Sequence, residues 1–274
     1  MPLTAEQRRR YARQIGLPEI GPAGQQRLLG SRVLLAGVGG LGSAAGYYLA
    51  AAGVGTLGLA DDDRVGLSNL QRQIVYRTAD VGRLKVEAAA EAWMALNPDL
   101  RTRLHPLRLT AANAPGLAGG YDVVVDATDT LAAKAMLARA SRKAQTPIVQ
   151  AGVQGYQGQI LTVLPGKTAC WGCVFGRPAQ PEPAAPAAGP LGAVPGVLGA
   201  LQAAEVLKLL AGLGGLLTDR VLFFDVRRIE FRTVRAVRDP GCPICGRAAR
   251  AAGKGPSLTT DARKTRRPCH EPNL

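Results

Sequence analysis

The chain has 274 residues, 47% of them apolar and only 4% aromatic, with 34 lysines and arginines against 20 acids and a formal net charge of +14. That length suits one large α/β domain or two small ones, with enough apolar content for a sizeable core. The charge favours acidic partners (a nucleotide, an acidic protein or nucleic acid) without choosing among them. Met1 to Arg13 is charged and holds no apolar stretch, so no secretory signal is expected. No uncharged apolar run reaches the roughly 18 residues of a membrane span. The longest candidate, Ala193 to Leu217, carries Gln202, Glu205 and Lys208. A cytoplasmic protein with no membrane partner is expected, and there five cysteines point to metal rather than to disulfides.

In chain order, residues 4–29 read as a basic arm of helical segments broken by Gly16-Leu17-Pro18 and Gly21-Pro22. Ser31 to Ala36 is a short apolar strand, and Gly37-Val38-Gly39-Gly40-Leu41-Gly42 follows it into an Ala-rich helix from about Ser43 to Ala52. Strand, glycine turn and helix are the context of a phosphate-binding fingerprint: glycines let backbone approach phosphate oxygens, and the helix N-terminus offers free N–H groups. Gly55 to Ala60 reads as the next strand, with Asp61 at its end, where an acid binds ribose hydroxyls. Lys85 to Leu96 is an amphipathic helix closed by Asn97-Pro98, and Leu100 to Leu104 a strand. Tyr121 to Asp126 is a strand running into Asp126-Ala127-Thr128-Asp129, followed by a helix from Thr130 to Ala144 and a strand from Pro147 to Gln150. Gln157 to Leu164 alternates as a half-exposed strand does. Arg177 to Pro195 is a Pro- and Ala-rich crossing loop, Leu198 to Leu210 a helix, and Val221 to Asp225 with Ile229 to Arg235 a closing strand pair. The expected fold is α/β, Rossmann-like and doubly wound, with a mostly parallel sheet, antiparallel C-terminal strands and a structural zinc site. Residues 1–246 form the domain, with a helical arm over 1–30. From Arg247 on, seven basic residues face Asp261 and Glu271 in a stretch poor in apolar residues, which is expected to be a disordered tail.

The segment from Asp61 to Gln73 holds three carboxylates, a hydroxyl, amides and a guanidinium just after a buried strand. Such density exceeds what a connecting turn needs, and it lies at the carboxyl end of a sheet, where open α/β sheets bind ligands. Two Cys-x-x-Cys knuckles, Cys170/Cys173 and Cys242/Cys245, use four of the five cysteines and suit tetrahedral zinc. With no open position, that metal is structural. Cys269 is read as a free thiol on the tail.

These residues together resemble the molybdopterin-synthase and thiamine sulfur-carrier adenylyltransferases (MoeB/ThiF), relatives of ubiquitin-activating enzymes. The matching pieces are Tyr11-Ala12-Arg13-Gln14, Gly37 to Gly42, Ser68-Asn69-Leu70-Gln71-Arg72-Gln73, Lys85, Asn97-Pro98, Asp126 to Asp129, both cysteine pairs and Leu201 to Glu205. The resemblance implies ATP-dependent adenylation of the C-terminal glycine of a small ubiquitin-like sulfur carrier ending in Gly-Gly. It implies that Gly37, Gly39, Gly40 and Gly42 line the phosphates and that Asp61 and Asp63 lie at the nucleotide. It further implies that Asn69, Arg72 and Lys85 surround the triphosphate, that Asp129 holds Mg2+, and that Ser68, Leu70, Gln71, Gln73 and Thr130 belong to the same cofactor site. Arg13 then reaches the partner's ATP in a homodimer. Arg13, Arg72, Lys85 and Asp129 are the expected catalytic set.

Three positions depart from the family pattern. Thr130 stands where the family has Asn, Lys134 where it has Arg, and Ala185 where many members carry a crossing-loop cysteine. An external sulfur donor is therefore expected. Three other readings stay open: a nicotinamide-dependent oxidoreductase, an enzyme acting on a modified tRNA carboxylate, and a noncatalytic binder of ubiquitin-like proteins. Nucleic acid is not the expected partner.

Overall fold

The apolar runs of the first half are strands buried on both faces, the pattern of a parallel sheet covered by helices. The structure, a computed structural model, describes residues 2–176 and 189–246. Its elements in chain order begin with the helices α1 (Ala5–Arg10), α2 (Ala12–Ile15) and α3 (Gly21–Gly30). There follow β1 (Arg32–Ala36), α4 (Gly40–Ala51), β2 (Thr56–Ala60), α5 (Lys85–Leu96), β3 (Arg101–His105), α6 (Ala114–Gly119), β4 (Val123–Asp126) and α7 (Leu131–Ala144). The chain continues with β5 (Ile148–Gln154), β6 (Gln157–Val163), α8 (Trp171–Phe175), α9 (Ala193–Ala211), β7 (Arg220–Asp225) and β8 (Glu230–Arg235).

One eight-stranded sheet runs in the order β3-β2-β1-β4-β5-β6-β7-β8. The five strands from β3 to β5 are parallel, and β6, β7 and β8 are added antiparallel. The expected fold class is observed. Side chains of α4, α5 and α9 form one core with one face of the sheet, and those of α6 and α7 form another with the opposite face. The winding reverses between β1 and β4, so the glycine loop after β1 lies at the topological switch point.

Several boundaries differ from expectation for physical reasons. Gly21-Pro22 opens α3 rather than breaking a helix, because proline fits the first helical turn, where its missing N–H is not needed. Likewise α9 begins at Ala193, with Pro195 in its first turn, so the last residues of the expected crossing loop are helical. The short helix α6 was hidden by Pro115, Gly116 and Gly119. Residues 177–188 of the crossing loop, with Ala185, and the tail with Cys269 lie outside the described residues.

Among the described residues, α9 alone is long and apolar enough to cross a membrane by length and composition. Its packing is that of a core helix. Gln202 is fully buried and donates from Nε2 to the carbonyls of Asp126 (2.8 Å) and Val149 (3.1 Å). Buried Glu205 accepts from the Thr162 hydroxyl and from Leu217 N. These bonds clasp α9 to β4, β5 and β6 and explain the Leu201 to Glu205 motif as structural.

Candidate active site and metal centre

At the end of β1 the chain turns through Gly37, whose φ of +94° belongs to the left-handed region that favours glycine. A Cβ there would lie 2.8 Å from the Ala127 carbonyl oxygen, and one on Gly42 would lie 2.2 Å from the Gly37 carbonyl oxygen. A side chain at Gly37 would collide with the backbone after β4, and one at Gly42 would push α4 away from the glycine loop. Gly39 caps α4, and a Cβ on it would meet nothing nearer than Gln73 Nε2 at 3.7 Å, so its outer face is an open cradle. Gly40 is closed in by Pro195 and the Arg72 carbonyl oxygen.

Asp61 stands at the end of β2. Its Oδ2 accepts from Val38 N at 2.7 Å, and its Oδ1 accepts from Asp63 N at 2.9 Å. One carboxylate thus braces both the glycine loop and the polar segment. A 3-10 turn, Leu67–Asn69, carries that segment back over the loop, with Asn69 Oδ1 accepting from Gly66 N at 3.0 Å. Arg72 is half-buried and donates to the Ser68 carbonyl at 3.0 Å. Gln73 is buried, and its Oε1 has no hydrogen-bond partner. Leu70 packs on the core and Gln71 lies against Gly192, the cap of α9.

Lys85, the first residue of α5, is not the exposed helix residue that its position alone allows. Its side chain is 7% exposed and pairs through Nζ with Asp63 Oδ2 at 2.7 Å, whereas the Asp63 side chain is 66% exposed. Sequence reasoning missed Tyr76. Its hydroxyl donates to the Val38 carbonyl at 2.7 Å, and burial beside Asp61 and Asp63 holds the phenol far above its ordinary pKa. Nothing in the local pattern signals this, because the contact joins segments far apart in the chain.

After β4, Asp126 is fully buried, whereas Asp129 is exposed. Thr130 caps α7, its hydroxyl accepting from Ala133 N at 3.2 Å, so the capping role falls to Thr130 and leaves Asp129 free of it. The glycine loop, Asp61, Asp63, Arg72 and Lys85 are thus gathered at the carboxyl ends of β1 and β2, and Asp129 leaves the carboxyl end of the adjacent β4. Arg13 does not join them. Gln14 beside it donates to the carbonyl of Ala52, the C-cap of α4, and Tyr11 accepts from Asn97, whose amide also donates to the Ala50 carbonyl. The Tyr11 to Gln14 motif and Asn97 are therefore an anchor at the end of α4 remote from the glycine loop.

The sulfurs of Cys170, Cys173, Cys242 and Cys245 lie within 4.8 Å of one another. The contacts of 3.4, 3.5 and 3.8 Å far exceed a disulfide bond. Zinc–sulfur bonds of about 2.3 Å give tetrahedral edges of about 3.8 Å, so the donor set fits zinc. Backbone N–H groups of Asp239 and Ile244 point at the Cys173 and Cys242 sulfurs, as partners of thiolate ligands do. Burial pushes the Cys170 thiol far up and the Cys245 thiol up to about 11. Burial also works to raise Cys173, but hydrogen bonds from backbone and neighbouring sulfurs outweigh it and lower this thiol. A bound cation is what would make all four sulfurs thiolates together. The cluster shares a core with Ile148 and Val163, at the end of the sheet opposite the glycine loop.

Fold and site together define a doubly wound, nucleotide-binding α/β protein with a closed four-cysteine cluster. The ThiF family profile matches residues 11–244, and the chain belongs to the ThiF family. It is 42% identical over 248 residues to the SAMP-activating enzyme E1 of Haloferax volcanii, covering 89% of this chain and 91% of that one. It is 40% identical to the sulfur carrier protein adenylyltransferase of Thermus thermophilus, covering 89% and 92% of the two chains. Against the sulfur carrier protein ThiS adenylyltransferase of Escherichia coli it is 41% identical, covering 86% and 94%. The crystal structure of E. coli MccB superposes with a TM-score of 0.79 at 22% identity, over 89% of this chain and 74% of that one, a likeness of fold.

Proposed function

We propose that this chain is an adenylyltransferase that activates the C-terminal carboxylate of a small ubiquitin-like sulfur carrier ending in Gly-Gly. The observation that carries the reading is the gathering of an open glycine cradle, Arg72 and Lys85 at the switch point, with Asp129 at the neighbouring strand end, in a chain whose relatives are named sulfur-carrier adenylyltransferases. The catalytic unit spans residues 1–246 and works as a homodimer in the cytoplasm.

In the reaction a carboxylate oxygen of the carrier attacks the α-phosphorus of ATP. The bond to the β-phosphate oxygen breaks, and acyl-AMP and pyrophosphate form with no net proton transfer. The difficulty is negative charge, on the attacking carboxylate, on the α-phosphoryl oxygens and on the leaving pyrophosphate. Fixed cations are the remedy, and a catalytic histidine is not required. The N–H groups at Gly39 and Gly40 meet phosphate oxygens, Asp61 binds the ribose, and Asn69, Arg72 and Lys85 neutralise the triphosphate. Asp129, with Thr130 beside it, would hold Mg2+, which would supply further charge neutralisation at the phosphates.

Ala185 removes the crossing-loop thiol onto which some relatives could pass an acyl group. The reaction then ends at the acyl-adenylate, and sulfur arrives from an external donor. The test is pyrophosphate release with ATP, Mg2+ and a panel of Gly-Gly carriers. Release that depends on both the carrier and Mg2+, and that is abolished in Asp129→Ala, is the expected result. Undiminished turnover in Asp129→Ala would falsify the metal assignment, and no release with any carrier would remove the function.

A further inference from the structure

Lys134 is a charged residue at 4% exposure in the second turn of α7. Its ammonium donates to the Ala151 carbonyl and lies 3.4 Å from Asp126 Oδ1. Asp126 is fully buried at the end of β4, and among the described residues Lys134 is the cation paired with it. A buried carboxylate without compensation is costly, so this pair is not incidental.

The remaining acceptor capacity of Asp126 is spent on the turn that follows. Its Oδ1 accepts from Thr128 N at 3.0 Å and from Thr128 Oγ1 at 2.6 Å. Its Oδ2 accepts from Gln150 Nε2 at 2.8 Å, and the same Gln150 amide donates to the Lys134 carbonyl at 3.1 Å. The next residue after Thr128 is the exposed Asp129. A continuous line of contacts therefore runs from the Lys134 ammonium through the Asp126 carboxylate to the Thr128 backbone and the base of Asp129.

We propose that Lys134 is a positioning residue for Asp129: by neutralising Asp126 it keeps that carboxylate available to fold the turn that aims Asp129 at the metal. The inference rests on the reading of Asp129 as a Mg2+ ligand. Without Lys134, Asp126 is a buried anion with no counter-charge. It then turns toward water, and that change weakens its grip on the Thr128 N–H. A role in stability alone predicts a different outcome, because it lowers the melting temperature without altering metal affinity in the folded protein.

The test uses the full chain with a non-hydrolysable ATP analogue, and Mn2+ as the probe, read by electron paramagnetic resonance. Lys134→Met is expected to weaken Mn2+ binding by about 10–100-fold, the usual effect of removing a group that orients a metal ligand. Nucleotide affinity without metal should change little, and Lys134→Arg should restore Mn2+ binding to within a few-fold. Thr128→Val leaves the buried pair intact and should weaken Mn2+ binding by a smaller factor. If Lys134→Met does not fold, Thr128→Val and the charge-free double variant Asp126→Asn/Lys134→Met carry the test, and both should bind Mn2+ more weakly. Wild-type Mn2+ affinity in the folded variants, with Asp129→Ala clearly impaired, overturns the role of Lys134 alone. Wild-type affinity in Asp129→Ala overturns the metal assignment and this inference with it.

Discussion

Lys85 and Asp63 are unequal partners, and the inequality separates chemistry from folding. The ammonium is nearly buried, whereas the carboxylate is mostly in water. If Lys85 becomes Met, Asp63 regains solvent and no buried charge is stranded, so stability should fall by no more than about 1 kcal/mol. Pyrophosphate release should fall by about 10²–10³, as it does when a group that stabilises transition-state charge is removed. A denaturant melt paired with the release assay reads both numbers. A large stability loss with little loss of turnover would make Lys85 a structural residue. Positions such as this were legible in the sequence because family motifs and a strand–glycine–helix context mark them. Tyr76 and Gln150 were not legible, and Gln202 was marked by its motif but not in its role. They act by hydrogen bonds to backbone of distant segments, and no local periodicity records such a contact.

At the scale of elements, the parallel strands were legible because β1, β2 and β4 are short apolar runs, buried along nearly all of their lengths. The helices α3, α6 and α9 were partly hidden, since each carries glycine or proline in its first turn, where those residues are tolerated. The cysteine knuckles were legible in spacing and in the segments they join, but not in the end of the sheet they occupy. They hold β8 and the chain beyond it to the segment after β6, with Arg139 of α7 donating to the Pro243 carbonyl at 2.7 Å. That places the cluster a strand length from the glycine loop, so the metal's effect should be on folding. Elemental analysis should find one zinc per chain. Cys170→Ser or Cys245→Ser should lower the melting temperature and solubility, because binding energy at a closed site is folding energy. In the fraction that stays folded, turnover per active chain should be near that of the parent. A metal-free chain with an unchanged melting temperature would end the zinc assignment.

For the whole molecule, one expected catalytic residue lies in the wrong place for its own site, and this bears on assembly. Gln14 and Tyr11 fasten the Arg13 segment to the C-terminal end of α4, and the glycine loop is at the other end. The helix has 12 residues, a length of about 18 Å. Arg13 itself is exposed, on a short helix whose neighbouring residues are held. A tightly anchored arm that presents a cation to solvent suits delivery to a second copy, where the incoming charge would meet ATP already bound by the other chain. The two arrangements give opposite results in a mixing experiment. Arg13→Ala chains retain Asp129, and Asp129→Ala chains retain Arg13. If Arg13 acts across the dimer, a heterodimer of the two variants holds one site with both groups intact, and pyrophosphate release should recover to a fraction of wild type. If Arg13 acts in its own chain, every site in the mixture lacks one group and no release returns. Subunit exchange is verified by a mass tag on one variant before the assay. Failure to recover activity after exchange would leave the anchored arm a structural feature and take Arg13 out of the reaction in trans.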